Sequence, residues 1–243
     1  MVTIALAGNP NSGKTTLFNT LTGSKQHVGN WPGKTVERKE GTFNLNNKKI
    51  NIIDLPGTYS LTSFSAEETV TRDFIMKAQP DIVIDVIDAT NLQRNLYLAL
   101  ELLELNANLI LAINMDKFAK RKGIHIDTKK IQELLNVPII KVNAREKEET
   151  ENLINQSLNH KKKSISVQYG DEIEEHLKDI ESLIKINLKK ITNYSPRWLA
   201  VKLLEQDSEV INIISKEENG NKVLEELNII IIHLKDIFGN DFD

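Results

Sequence analysis

The sequence predicts an α/β fold, a mostly parallel sheet with helices on both faces, followed by a small all-helical domain. Three observations predict it. Short Ile/Val/Leu-rich runs at 2–7, 51–55, 82–87, 109–113 and 138–142 read as strands buried on both faces. Helical patterns at 15–22, 65–77, 92–105, 127–135 and 146–158 alternate with them. Beyond residue 158 the strand pattern stops and only amphipathic helices remain.

In chain order, the strand at 2–7 runs into a Gly-rich loop and then a helix. The stretch 35–45 alternates through Val36, Arg38 and Glu40 and meets 48–53 across the turn Asn46-Asn47. These two segments predict a hairpin that adds one antiparallel edge strand. Residues 159–164 form a basic linker with Lys161, Lys162 and Lys163 in a row, a solvated run by its composition, with a phosphate or membrane-surface role as the alternative. The boundary therefore falls near 160, giving domains at 1–160 and 165–243. In the second, helices are expected at 171–191, 198–204 and 218–238, the last broken or started near Gly220.

Composition narrows the function classes. The chain has 243 residues, 40% of them apolar, a formal charge of −3 and a pI near 6.0. That balance disfavours a nucleic-acid binder driven by overall charge. With no cysteine, disulfides and thiolate metal sites are excluded. No basic leader precedes an apolar stretch, and the longest apolar runs fall far short of a membrane span. The expectation is a soluble, cytoplasmic chain.

Residues Gly8 to Thr15 read GNPNSGKT. A strand–loop–helix junction of this kind presents backbone N–H groups at a helix N-terminus, where unpaired donors and the helix dipole favour an anion. Gly8 and Gly13 let the backbone curl round phosphate, with Asn9, Pro10, Asn11, Ser12 and Thr16 completing the cradle. Lys14 would reach the β and γ phosphates, and the Thr15 hydroxyl would ligate magnesium. Asp54-Leu55-Pro56-Gly57 supplies a DxxG element at a strand end. Its carboxylate would hold magnesium through water, and the Gly57 N–H would sense the γ-phosphate. Thr35, with Gly33 and Lys34 beside it, is placed to ligate magnesium only when the γ-phosphate is present. The loops 24–35 and 57–67 then have two states, ordered by triphosphate and released on hydrolysis. In series, these elements indicate a P-loop switch protein of the GTPase type.

The strings GNPNSGKTTLFN, VGNWPGKTVERKEG (28–41), DLPGTYSL (54–61) and DATNLQRNLYL (88–98) resemble the cytosolic G domain of FeoB, the bacterial ferrous-iron transporter family. RWLAVKLLEQD (197–207) resembles that family's helical segment. The resemblance implies a GTP-binding and GTP-hydrolysing regulatory module at the cytoplasmic face of the membrane. It also implies a helical domain that slows GDP release and a membrane permease C-terminal to it. By that resemblance, the chain as given is expected to be a soluble fragment whose helical domain lacks its last helix.

Three positions bear on the chemistry. An Asn at the place of Asn11 holds a potassium ion beside the phosphates in potassium-activated relatives, whereas the local alternative is that Asn11 stabilises a turn. Thr58 stands where many small GTPases carry the Gln that orients water; it is shorter, so slow hydrolysis is expected, with water placed partly by backbone. Base recognition departs from the family. Guanine selection needs Asp at the fourth position of NxxD, but here Asn114-Met115-Asp116-Lys117 brings the carboxylate one residue early. Lysine offers only donors, which oppose guanine N1–H and N2–H₂ and tolerate the acceptor N1 of adenine. Either the backbone shifts to bring Asp116 onto the base, or selectivity relaxes toward ATP. Asn143, Ala144 and Arg145 are expected to offer a backbone N–H to the base.

The remaining candidates are weaker. His27, His125, His160, His176 and His233 are scattered without ligand spacing, so no histidine metal site is expected. Glu172, Glu174 and Glu175 read as a solvated helix face, the alternative being a set of carboxylates that attracts iron from solution. Trp31 reads as either an exposed aromatic or a packing residue, and Trp198 as core. The sequence thus favours a Mg²⁺-dependent, K⁺-stimulated GTPase module of a ferrous-iron transporter, binding GTP and GDP and no nucleic acid. The alternatives are a stand-alone switch GTPase of ribosome or tRNA assembly, and a nucleotide-gated interaction module with little turnover.

Overall fold

The computed structural model describes residues 1–46, 48–62, 65–162, 167–188 and 194–239. Asn47 of the expected turn, Lys163 and Ser164 of the linker and the end of the expected 171–191 helix lie outside them. The chain divides into two compact units, Met1–Ser166 and Val167–Asp243.

In the first unit, β1 (Val2–Ala7) runs through the Gly-rich loop into α1 (Lys14–Thr22). Strands β2 (Gln26–Asn30), β3 (Glu37–Leu45) and β4 (Lys48–Asp54) follow, then α2 (Ala66–Ala78), β5 (Ile82–Asp88) and α3 (Leu92–Glu104). The unit closes with β6 (Leu109–Asn114), α4 (Asp116–Arg121), α5 (Thr128–Leu135), β7 (Ile139–Lys141) and α6 (Lys147–Asn159). The seven strands form one sheet in the order β2-β3-β4-β1-β5-β6-β7. β1 pairs in parallel with β4 and β5, β5 with β6, and β6 with β7. Only β3 runs against the others, pairing antiparallel with β2 and β4.

The sheet thus ends one strand beyond expectation. Residues 26–30, read as part of a switch loop, form β2 and cover β3, so the antiparallel strand is not the edge. QHVGN has no apolar alternation and is almost wholly exposed; backbone pairing to 37–41 alone makes it a strand.

One face of the sheet packs Ile4, Leu6, Ile50, Ile52, Ile84, Val86 and Ile110 against Leu17 and Phe18 of α1 and Leu153 and Ile154 of α6. On the other face α3 lies against β5 and β6. By strand alternation Asp85 of β5 points to that second face, between Val83 and Ile87. It is wholly buried, and burial pushes its carboxyl up to about 8. It is therefore neutral at pH 7.

In the second unit, α7 (Asp171–Asn187) packs on α8 (Pro196–Leu204) and α10 (Gly220–Phe238), and α9 (Ser208–Ser215) packs on α8 and α10. Pro196 begins α8, where its missing N–H is harmless. Asp207 caps α9, accepting from the N–H groups of Glu209 and Val210 at 3.0 Å each. The α9–α10 corner needs glycine: a Cβ on Gly220 would sit 1.8 Å from the Ile214 carbonyl oxygen. Trp198 is core, 1% exposed and stacked on Tyr194. Glu174 departs from the expected solvated face. It is buried and gripped by Arg197 through two hydrogen bonds of 2.7 Å, which hold its carboxyl below the usual range. Among the described residues no helix is long and apolar enough to cross a membrane.

Asp85 generates a test. The folded state holds its proton more tightly than the unfolded chain, so stability falls as pH rises from the unfolded value of 3.8 toward about 8. Asp85→Asn keeps the shape and removes the titration. We expect urea unfolding of the variant to lose this slope and to gain up to about 4 kcal/mol at neutral pH.

Candidate functional site

The carboxyl ends of β1, β4, β5 and β6 meet at one edge of the sheet, where open α/β sheets place ligands. The loop from Gly8 to Gly13 leaves β1 there. Asn11 and Gly13 both have left-handed backbone, with φ of 66° and 96°. Gly13 precedes α1, whose N-terminus has no side-chain cap and no acidic residue in its first turn. The unpaired donors and the dipole therefore face the loop uncompensated.

Lys14 is buried and ion-paired to Asp54 Oδ1, and it also donates to the Leu55 carbonyl oxygen. The Thr15 hydroxyl donates to Asp54 Oδ2 at 3.2 Å. Thr35 lines the same polar cleft of about 280 Å³, together with Lys14, Thr15, Asp54, Gly57 and Glu67. Three of the sequence-predicted oxygen donors, Thr15, Thr35 and Asp54, are thus brought together. Gly33 and Lys34 are not brought to them. They lie in a turn closed by the Trp31 N–H to Val36 and the Lys34 N–H to Trp31, with Lys34 beside Trp31 and Arg38. Trp31 itself packs edge-on against Phe74 of α2 at 5.3 Å.

Pro10 touches Gly57, where a Cβ would come within 3.3 Å of the Pro10 Cα. The Thr58 N–H donates to Gly8 O at 3.3 Å, and its hydroxyl donates to Ser60 O at 2.6 Å. Thr58 is buried, so its hydroxyl is committed to the turn. Asn9 is buried behind the loop, reaching the Arg94 carbonyl at 3.4 Å.

A second cleft of about 560 Å³ is lined by Gly13, Thr16, Asn114, Met115, Asp116, Lys117, Phe118, Arg121, Lys141, Asn143, Ala144, Arg145 and Glu149. Asn114 donates to Ser12 O at 2.9 Å and accepts from the Ala144 N–H at 3.2 Å. The Asn143 N–H donates to Glu149 Oε2 at 2.7 Å and the Arg145 N–H to Asn143 Oδ1 at 3.2 Å. All three expected base donors therefore already have protein acceptors, which a base carbonyl would share or displace. Met115 takes a left-handed turn (φ 62°) so that Asp116 begins α4. Both Asp116 oxygens carry lysines, Lys120 on Oδ2 at 2.8 Å and Lys141 on Oδ1 at 3.0 Å. Those lysines outweigh its partial burial and hold its carboxyl below the usual range. Lys117 is exposed. Sequence reasoning missed Lys141, Glu149 and Glu67; the acidic first turn of α6 signals Glu149, whereas Lys141 is visible only once β7 lies beside β6.

The chain matches the family model for ferrous iron transport protein B over residues 2–157 and that for the FeoB cytosolic helical domain over 169–243. The Fe(2+) transporter FeoB of Methanocaldococcus jannaschii is 42% identical over 245 residues, covering 97% of this chain and 35% of that protein. The Fe(2+) transporter FeoB of Escherichia coli K12 is 41% identical over 210 residues, covering 85% and 27%. The chain thus spans roughly a third or less of the length of these curated relatives. A crystal structure of an S. thermophilus NFeoB mutant bound to GDP has a TM-score of 0.86 at 36% identity, covering 98% of this chain and 91% of that one. Together the two family models cover nearly the whole sequence: the chain belongs to the ferrous iron transport protein B family.

Proposed function

We propose that this chain is the GTP-binding, slowly GTP-hydrolysing regulatory module of a ferrous-iron transporter. Residues 1–160 act as the G domain and 165–243 as the helical domain, at the cytoplasmic face of the membrane. The observation that carries this reading is the convergence of Lys14, Thr15, Thr35 and Asp54 on one polar cleft at the N-terminus of α1. Phosphate draws Lys14 off Asp54. The released carboxylate would then hold magnesium through water, beside the Thr15 and Thr35 hydroxyls as direct ligands, an all-oxygen set that suits this ion. Bound there, magnesium would neutralise charge on the β and γ phosphates. Asn11, exposed in the phosphate loop, fits a potassium ion beside the same phosphates.

Hydrolysis joins a water oxygen to the γ-phosphorus and breaks its bond to the bridging oxygen of GDP. The committed Thr58 hydroxyl supports water placement by backbone around Gly57. Guanine selectivity is relaxed. Both Asp116 oxygens are held by lysines, so pairing guanine N1–H and N2–H₂ requires breaking two ion pairs. Lys117, in the family's Asp register, offers no acceptor.

Three measurements test this. Parallel calorimetry of GDP and ADP, with magnesium and potassium, should give affinities within about tenfold of each other, and Lys117→Asp should widen the preference for GDP by at least about tenfold. A strong preference for GDP in the unaltered chain would mean that Asp116 reaches the base. Asn11→Ala should abolish stimulation of turnover by potassium; an undiminished response removes the ion from this residue. Thr58→Ala should change turnover by less than about tenfold, whereas a hundredfold loss would make the hydroxyl catalytic.

A further inference from the structure

Outside the nucleotide clefts, among the described residues, one cluster of potential ligating side chains lies on the helical unit. α7 carries Glu172 and His176 one turn apart, hence on one face. α10 packs along α7 and brings His233 to that face. The Nε2 atoms of His176 and His233 each lie 3.8 Å from Glu172 Oε1. The imidazole rings meet edge-on at 5.2 Å. The three ligating atoms all fall within 4.8 Å of one another.

These separations exceed hydrogen-bond length, so the carboxylate is not hydrogen-bonded to either ring. They approach the spacing of ligands sharing one ion: bonds of about 2.0–2.1 Å in a tetrahedral site put ligand atoms about 3.3 Å apart. Small rotations of Glu172 and His233, both exposed, would close the difference; His176 is largely buried, its Nδ1 without a hydrogen-bond partner and its Nε2 toward Glu172. The immediate neighbours Leu177 and Leu234 are buried in the helical core, which fixes the two helices beneath the cluster.

We propose that Glu172, His176 and His233 bind one divalent first-row transition ion and so clamp α7 to α10. Two imidazole nitrogens and one carboxylate suit Fe²⁺, Co²⁺, Ni²⁺ or Zn²⁺ and not the hard ions Mg²⁺ and Ca²⁺, and they leave coordination positions open to water. The exposed side of the cluster gives an ion direct entry. The site shares no residue with either nucleotide cleft, so it does not depend on the assignment of the nucleotide.

The test uses the full chain, freed of metal by chelator and kept in excess Mg²⁺. Titration with Co²⁺, followed by visible absorption and calorimetry, should show one saturable site, competed by Zn²⁺ and by Fe²⁺ added without oxygen. Zn²⁺ should also raise the melting temperature. His233→Ala, at an exposed position, should weaken Co²⁺ binding by at least about tenfold. Glu172→Gln should do the same, and His125→Ala should leave it unchanged. No saturable binding, or binding equal in His233→Ala, overturns the proposal and leaves the cluster a surface contact between two helices.

Discussion

Asn114 stands at the C-terminal end of β6, and its buried carboxamide makes two hydrogen bonds that the rest of the site depends on. It donates to Ser12 O in the phosphate loop and accepts from the Ala144 N–H in the loop after β7. Three loops from three strands are thereby fixed at one point. The approach is so close that a Cβ on Gly13 would sit 2.2 Å from the Asn114 nitrogen, and the left-handed φ of Gly13 is what brings the chain round to it. In a buried setting, loss of either partner leaves an unsatisfied polar group, costing about 1–3 kcal/mol. The shape of the phosphate cradle is therefore set partly by a residue of the base-binding segment. The two ends of a nucleotide would be read by one mechanical unit.

The γ-phosphate end is joined to the rest of the domain through α2. The DxxG segment leans on the phosphate loop by Pro10 against Gly57 and by the Thr58 N–H to Gly8. A few residues on, Ser60 and Thr62 both donate to Glu68, which with Ser65 forms the capping box of α2. The Leu61 N–H is held separately by Glu101 of α3 at 2.6 Å. The loop that carries Thr35 rests on the same helix through Trp31 and Phe74. Movement at either loop must therefore repack one face or the cap of α2. On the proposed reading, that linkage would give a γ-phosphate switch one element for both loops to bias.

What the sequence reveals of this architecture follows from how each element is stabilised. β1, β5 and β6 are buried on both faces, so their apolar runs declare them. β2 is held by backbone pairing at an exposed edge, and no side-chain pattern is required of it. Asp85 breaks the apolar pattern of β5, yet the strand forms because a neutral carboxyl is tolerable in the core where a charged one is not. Glu174 looks like one acid among several at the start of α7; its burial depends on Arg197, which sequence distance conceals. His176 and His233 are likewise joined only by the packing of α7 on α10. The i, i+4 spacing of Glu172 and His176 was the one local sign of that cluster. The motifs at the two clefts are legible because phosphate binding dictates residue types at short spacing, whereas contacts between distant helices dictate none.

The base-binding segment shows how one displaced carboxylate reshapes its surroundings. Starting α4 at Asp116 puts that carboxylate in the first turn, where the helix dipole favours it, and within reach of Lys120 one turn on. Lys141 at the end of β7 supplies the second partner. Each contact stabilises Asp116 where it is and therefore opposes moving it onto a base. The cleft also carries Lys117, Arg121 and Arg145 against Asp116 and Glu149, a surplus of donors over acceptors. Such a wall offers hydrogen bonds to purine acceptor atoms and opposes the N1–H and N2–H₂ donors of guanine, as it opposes the N6–H₂ donor of adenine. Selectivity is a difference between two affinities. On the proposed reading, the Asp116 carboxylate that would generate that difference is engaged by Lys120 and Lys141 instead.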